Sequence, residues 1–421
     1  MRLSTAFTTT QKTDIGQGES NNYKFLIRGG FIRQLSSGIY TYLPLGLKVL
    51  NKISQITREE MNALGAEEVL MPTLHQREYW ERTNRYELDV SYRVLEGNSP
   101  EPKYVLGWTH EEIVTPLAKD FIHSYKDLPK AVYQIQTKFR NEPRPKSGLL
   151  RGKEFLMKDL YSFHVDSEDL ERYYPKVQKA YFNVYKKIGL KVVMVQASGG
   201  PFSQYSHEFQ ALCANGEDKI FYCNSCSFAQ NEEITKTKEG NKCPQCEVGK
   251  INTSKAIEVG NIFKLGDRFS KPLNLVYTDQ KGNLHPVIMA SYGIGISRIM
   301  GAVAEIYNDS KGIIWPKSIA PADIHLVSIR NSNNNVRKAA DNLYEMLKKN
   351  FDVLYDDRDD DVSAGEKLAD ADLIGAPIRL VISPETVSNQ KIELKQRANG
   401  KIIGNYKLNS AFISKLHSFI K

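Results

Sequence analysis

The sequence predicts an α+β protein in three parts: a domain of antiparallel sheet flanked by helices, a short four-cysteine insertion within it, and a C-terminal domain of alternating strands and helices. Three observations carry that prediction. Residues 133–163 read as two strands joined by a long basic loop, two Cys-x2-Cys pairs stand sixteen residues apart, and apolar strand patterns alternate with helical ones beyond about residue 321. The parts are 1–214 with 256–320, 215–255, and 321–421. At roughly 100–200 residues per domain, 421 residues hold this plan with ample buried core, which excludes a peptide or small module.

Taken in order, residues 28–46 (RGGFIRQLSSGIYTYLPLG) are basic and punctuated by glycine. They lead into LKVLNKISQITREEMNAL, whose Val49, Leu50, Ile53, Ile56, Met61 and Leu64 fall near helical spacing; Lys52, Arg58 and Glu59 are expected to stay wet, and Gly65 stops the helix. A short strand, EEVLMP, ends at Pro72, which cannot donate to a sheet ladder. In YQIQTKF the residues Tyr133, Ile135, Thr137 and Phe139 alternate with Gln134, Gln136, Lys138 and Arg140, as in a strand whose polar face lines a cleft. RNEPRPKSGLLR is the basic loop, and EFLMKDLYSF returns as the second strand. SEDLERYYPKVQKAYFNVYKKIGL reads as helix, with Pro175 expected in a first turn or at the start of a new helix. HPVIMASYGIGISRIMGAVAEIY gives a strand, a glycine bend and a small-residue helix. After the IAPAD linker come strand (IHLVSI), helix (VRKAADNLYEMLKK), strand (FDVLY), helix (GEKLADADLIG) and strand (IRLVIS), a small α/β domain.

Composition narrows the function. Hydrophobic residues at 41% and charged residues at 25% exclude a disordered chain or a collagen-like fibre. No apolar run reaches the roughly 18 residues of a membrane helix, and MRLSTAFTTTQKTDIGQGES lacks the apolar core of a secretory signal, so a soluble, cytoplasmic protein without a membrane partner is expected. Fifty-seven Lys and Arg against 49 Asp and Glu give a net charge of +8, which favours polyanionic partners without demanding them. Five cysteines, four of them in close pairs, suit a metal site in a reducing compartment better than a disulfide framework.

Cys223, Cys226, Cys243 and Cys246 match a four-cysteine zinc ribbon, since each pair presents two thiolates on one turn and two pairs close a tetrahedron. The alternative is four reduced thiols; redox work lacks the βαβ context it needs. Cys213 reads as a small buried residue. A second constellation is Arg140 and Glu142 at the end of the polar-faced strand, Arg151 across the basic loop, Phe155 on the returning strand and Arg298 after the glycine bend. Guanidinium forks match phosphate geometry and an aromatic can stack on a base, although an isolated arginine is usually a solvated surface charge. Neither a phosphate-binding loop of the GxxxxGK type nor a kinase signature occurs, so a nucleotide site here has another architecture.

The helix and strand ending in Pro72, FRNE with RGKEF, and GIGISR together resemble motifs one, two and three of the class II aminoacyl-tRNA synthetases. RGGFIRQLSSGIYTYLPLG, THEE, YQIQTKFRNEPRPKSGLLRGKEFLMKD, SHEFQ and LADADLIG are similar to the prolyl-tRNA synthetases of bacterial type, over essentially the whole chain. The resemblance implies a class II catalytic domain, an anticodon-binding domain from about Pro321, and a homodimer joined through motif one. It implies that Arg140 holds the ATP α-phosphate and the proline carboxylate, that Glu142 meets the adenine edge and Phe155 its face, and that Arg151 and Arg298 meet the outer phosphates. Glu258 would help hold Mg2+, its alternative being a strand-end salt bridge. Thr109 and Glu111 would accept the proline ammonium and His207 would pack on the ring; Met157 and Asp159 share the strand face of Phe155 by the period of two. Arg358 and Lys367 are the expected tRNA contacts, the alternative being solvated helix-end charges. The expected partners are L-proline, ATP and tRNA(Pro).

Two departures from the family stand out. Many members carry a large insertion that hydrolyses mischarged tRNA, whereas only 215–255 lies between SHEFQ and IEVGNIF, so no cis-editing domain is expected and a separate trans-editing protein has a role to fill. The cysteine cluster occupies that place. Two rivals remain: a synthetase of the same subclass for another amino acid such as threonine, and a non-catalytic synthetase-like protein that holds RNA. Thr109, Glu111 and the SHEF element oppose the first, and joint retention of Arg140, Glu142, Phe155 and Arg298 opposes the second.

Overall fold

A computed structural model describes residues 1–12, 20–200, 202–407 and 410–420, without the side chains of 403, 405–407, 410, 411, 413, 414 and 420. Part of the N-terminal stretch read above for a signal, 13–19, lies outside the described residues. The chain forms two compact units, Ser36–Ile39 with Ile53–Ala302, and Met1–Leu35 with Tyr40–Lys52 and Val303–Lys421. This grouping differs from the division drawn on sequence, because residues of the N-terminal stretch are tied to C-terminal ones. Arg2 pairs with Asp341 and Asp357, Lys48 with Asp352, and the Asn22 backbone and amide donate to Glu305.

Helix α1 (Pro44–Ala63) starts on a proline, whose fixed φ suits a first turn. Val49, Leu50, Ile53 and Met61 are buried as expected. Of the three charges expected to stay wet only Glu59 is exposed: Lys52 donates to the Ala320 carbonyl at 2.6 Å, and Arg58 grips Glu68 with two bonds of 2.7 and 2.9 Å. Strand β1 is only Glu67–Glu68, at the sheet edge. Beyond it polar side chains replace the ladder, with the Met71 N–H bonded to Gln134 and its carbonyl to Gln136. Helix α2 (Glu111–Lys119) follows.

The expected strand pair is β2 (Lys130–Phe139) and β3 (Glu154–His164), antiparallel throughout. Helix α3 (Ser167–Ile188) is capped by Asp166 and stopped by Gly189 at φ 87°. Pro175 lies at its ninth residue, which corrects the expected first turn or new start. The break would cost about 3 kcal/mol, but buried Leu170, Tyr174, Val177 and Tyr181, each worth roughly 1.5–3 kcal/mol, carry the helix through it. Then come β4 (Val193–Ser198), β5 (Tyr205–Leu212), β6 (Asp218–Cys223), β7 (Ala229–Asn231), β8 (Ile251–Gly266) and β9 (Ile288–Ile294), with α4 (Ile296–Ile306) after the Gly295 bend. The nine strands run in the order β5-β4-β7-β6-β8-β9-β3-β2-β1, and β5 also pairs with β8. Cys213 is half-buried rather than buried, because it follows the end of β5 at the surface.

The C-terminal residues form β10 (Ile324–Ser328), α5 (Asn334–Leu347), β11 (Val353–Asp356), α6 (Ala364–Ile374) and β12 (Ile378–Ile382), in the expected succession. Two more strands, β13 (Lys391–Gln396) and β14 (Ile402–Lys407), extend the sheet, ordered β11-β10-β12-β13-β14. The first three pair in parallel and the rest antiparallel. One apolar core includes Ile324, Leu326, Leu343, Leu347 and Leu380. Among the described residues, no helix is long and apolar enough to cross a membrane.

Candidate active site

The period of two on β3 sets the site. Phe155, Met157, Asp159 and also Tyr161 line one cleft, opposite Ser291 and Gly293 of β9 and beside Glu258 and Asn261 of β8. Thr109, Glu111, Arg140, Phe202 and Arg298 close it. A second cleft shares Arg140, Glu258 and Arg298 and adds Glu142, Arg151, Glu217 and Asp218. Ten of the residues singled out on sequence therefore meet here: Thr109, Glu111, Arg140, Glu142, Arg151, Phe155, Met157, Asp159, Glu258 and Arg298 line the two clefts, whereas His207 is absent from both linings.

At the basic end the Arg140 guanidinium lies 5.1 Å from the Phe155 ring, and its buried Nε has no hydrogen-bond partner. Burial, and next the charge of Arg298, lowers the Arg140 pKa. Two arginines facing one cleft form a site that a phosphate or carboxylate satisfies, Arg298 already having one carboxylate partner. Arg298 donates to the Glu258 carbonyl and carboxylate at 3.1 and 3.0 Å. Arg151 bonds Glu142 at 2.9 Å and Glu217 at 3.2 Å, so a phosphate arriving there competes with two carboxylates. Burial first, and the charge of Glu258 as well, push the Asp218 and Glu208 carboxyls up, the latter to about 8.

At the other end Thr109 Oγ1 donates to Glu111 Oε2 at 2.5 Å. Asp159 accepts from Gln134 and Tyr161, each at 2.9 Å, and pairs with Lys138 at 2.7 Å. Lys138 Nζ is also 3.0 Å from His110 Nδ1, and His110 Nε2 is 3.0 Å from the Pro72 carbonyl. A lysine donating to Nδ1 leaves the proton on Nε2, so the network assigns a neutral imidazole. Burial, then the Lys138 charge, push the His110 pKa down to about 2, in keeping with that tautomer.

Three expectations are corrected. His207 is half-buried against α3, its Nδ1 2.9 Å from the Tyr174 hydroxyl, because alternation on β5 puts it on the face opposite Glu208, whose register partner is cleft-lining Asn261. Arg358 forks onto Asp356 at 2.9 and 2.6 Å and reaches Asp370 at 2.9 Å. Lys367, 1% exposed, donates to the Ser328 and Arg358 carbonyls. Both cations are engaged inside the unit by carboxylates or carbonyls rather than standing as solvated helix-end charges. Sequence reasoning also missed site residues. Tyr161 is one further step of the period that found Asp159, and Lys138 lay on the polar face already read on β2. Nothing in the local pattern marks Phe202.

The four cysteines converge, their sulfur atoms all within 4.8 Å of one another. Cys223 to Cys246 is 3.7 Å and Cys226 to Cys243 is 3.6 Å. Zinc–sulfur bonds of about 2.3 Å give tetrahedral edges of about 3.8 Å, whereas a disulfide is about 2.05 Å. Backbone N–H groups of Ser225, Gln245 and Gly249 donate to Cys223, Cys243 and Cys246, and the bonds to Cys246 help hold its thiol at about 6. A Cβ on Gly249 would sit 2.4 Å from the Cys223 sulfur, so glycine is required there. The donor set fits zinc.

A mostly antiparallel sheet bearing two arginines in one cleft, one of them against an aromatic ring, joined in one chain to a separate α/β unit, defines a class. Residues 92–307 match the tRNA synthetase class II core domain of the G, H, P, S and T enzymes, and 323–418 match the anticodon-binding domain. The chain is a class II tRNA synthetase. Within that class it belongs to the proline–tRNA ligase family: it is 40% identical to the Proline–tRNA ligase of Wolbachia sp. subsp. Drosophila simulans (strain wRi) over 96% of both chains. It is also 40% identical to that of Rickettsia bellii (strain OSU 85-389), again over 96% of both. With that of Zymomonas mobilis subsp. mobilis it shares 39% identity, over 95% of this chain and 96% of the relative. Such coverage leaves these relatives no room for an additional editing-domain insertion. The fold matches prolyl-tRNA synthetase from Cryptosporidium parvum, in one structure with halofuginone and AMPPNP and in another with L-proline and AMP. Both have a TM-score of 0.76 at 18% identity; each comparison covers 95% of this chain, and 77% or 75% of the other.

Proposed function

We propose that this enzyme joins L-proline to ATP, forming prolyl-adenylate and pyrophosphate, and then transfers the prolyl group to the 3′ end of tRNA(Pro). The observation that carries this reading is that Thr109, Glu111, Arg140, Phe155, Met157 and Arg298 line one cleft. A proline carboxylate oxygen attacks the α-phosphorus in line and the bond to pyrophosphate breaks. The step needs positioning and charge neutralisation more than a general acid or base. Arg140 bridges the two reacting groups, Phe155 stacks on the adenine, Glu142 meets its edge, and Arg298 and Arg151 take the outer phosphates. Thr109 and Glu111 receive the ammonium, while Met157, Asp159, Tyr161 and Phe202 wall the pocket.

Magnesium, when bound, neutralises the phosphate chain, and Glu258 with neighbouring Glu217 and Asp218 supplies the carboxylates it favours. Zinc takes the four cysteines as a structural ion. The enzyme acts as a cytoplasmic homodimer, a reading supported by the family resemblance. It lacks a cis-editing domain, so mischarged tRNA is left to a separate protein. The test is amino-acid-dependent exchange of pyrophosphate into ATP with proline, threonine, alanine and cysteine in parallel, on wild type and Arg140→Ala. Exchange with proline that collapses in the variant is expected; no exchange with any amino acid would refute the reading.

A further inference from the structure

Arg85 touches no substrate-facing surface of the cleft, yet it binds two of the residues that do. Its side chain is 1% exposed, and Nη1 donates to Glu112 at 3.0 Å and to Glu111 Oε2 at 3.3 Å. The rings of Trp108 and Phe202 lie 4.2 and 4.6 Å from its Cζ, with Phe269 and Trp80 at 5.1 and 5.5 Å. Nε and Nη2 have no hydrogen-bond partner. The guanidinium is thus held by carboxylate charge and aromatic faces rather than by a full set of hydrogen bonds. Burial pushes the Glu112 carboxyl up against the pull of Arg85.

Glu111 Oε2 already accepts from Thr109 Oγ1 and from Arg85, while its Oε1 has no donor among the described residues. The threonine has given its only hydroxyl proton to that carboxylate. The Thr109–Glu111 pair therefore offers an incoming ammonium two acceptors, Thr109 Oγ1 and Glu111 Oε1. A secondary ammonium has two N–H donors and a primary one has three.

We infer that Arg85 is a positioning residue for amino-acid selectivity: by occupying Glu111 Oε2 it leaves two acceptors matched to a secondary ammonium, and by stacking on Phe202 it fixes a wall of the same pocket. The inference rests on the proposed function. It assigns Arg85 no contact with substrate; its effect passes through Glu111 and Phe202.

The test is pyrophosphate exchange by the full chain with proline and with alanine, on Arg85→Lys, Glu112→Gln and Arg85→Met/Glu112→Gln. The double variant removes one buried charge of each sign, so Glu112 is not stranded by loss of the arginine, and the change that remains is the loss of Arg85 from Glu111. Expected in the double variant are a KM for proline raised about tenfold or more, a KM for ATP within about twofold of wild type, and a proline-to-alanine ratio lowered about tenfold. Arg85→Lys, which keeps the charge, recovers part of the ratio, and Glu112→Gln keeps it. A double variant with the wild-type ratio, or with both KM values raised alike, would overturn the inference. So would Glu112→Gln lowering the ratio as far as the double variant does, an outcome that does not depend on any Arg85 variant folding. Wild type showing no proline-dependent exchange would instead overturn the proposed function itself.

Discussion

Replacing Lys138 by methionine isolates the electrostatics beneath the amino-acid end of the cleft. The lysine is fully buried, 2.7 Å from Asp159 Oδ1 and 3.0 Å from His110 Nδ1. Lys138→Met keeps an apolar stem of similar shape and removes the cation. Asp159 retains Gln134 and Tyr161 on Oδ2, but Oδ1 has no other partner. Stranding one member of a buried ion pair costs about 3–5 kcal/mol, a larger effect than the roughly 1 kcal/mol of the lost bond to His110. Urea unfolding at neutral pH measures the loss, followed by the fluorescence of Trp80 and Trp108, which belong to the same unit as Lys138. Lys138→Met/Asp159→Asn should recover most of the loss. A single variant less than about 1 kcal/mol below wild type at neutral pH, or a double variant no more stable than the single, would refute the reasoning.

Two other predictions concern the rest of the chain. Metal analysis should find one zinc per chain, lost in Cys246→Ser; that variant should be cleaved faster by protease within 224–250 while retaining proline-dependent exchange, because the cleft residues sit on strands paired outside the ribbon. Arg358→Ala should lower stability by about 3–5 kcal/mol, since it leaves buried Asp356 and Asp370 without their cation, and should not raise the KM for tRNA in preparations kept below their unfolding temperature.

Much of the site was legible because a strand's period is short and rigid. Once EFLMKDLYSF was read as a strand, Phe155, Met157 and Asp159 had to share a face, and the structure adds Tyr161 to that row. His207 was misplaced because SHEFQ puts Ser206, Glu208 and Gln210 on one face and His207 with Phe209 on the other, and nothing local says which face meets the cleft. Arg358 and Lys367 were read as available cations because the acidic residues around them looked solvated; folding turns Asp356 and Asp370 inward and uses both cations as counterions or donors. Arg85 gave no signal, since its partners lie 26 and 27 residues away and its aromatic cage is assembled from four separate segments. The grouping of the N-terminal residues with the C-terminal unit depends on pairs such as Arg2–Asp341, 339 residues apart, which periodicity cannot express.

The long strand β8 makes the cysteine ribbon a replaceable cassette. Cys223 and Ile251 face each other in register where β6 and β8 meet, so the segment between them, which also supplies β7 to the sheet beside β4 and β6, leaves and returns through two neighbouring positions. Antiparallel partners of this kind are about 4.5–5.5 Å apart, a separation that many folds can match with their own termini. Six ladder positions, from Cys223–Ile251 to Asp218–Ala256, stand between that junction and Glu258, and they separate Glu258 from whatever the junction carries. A ribbon or a larger domain that also supplies a strand in the place of β7 could therefore be exchanged there, by evolution or by an engineer, without resetting the register that places Glu258 against Arg298.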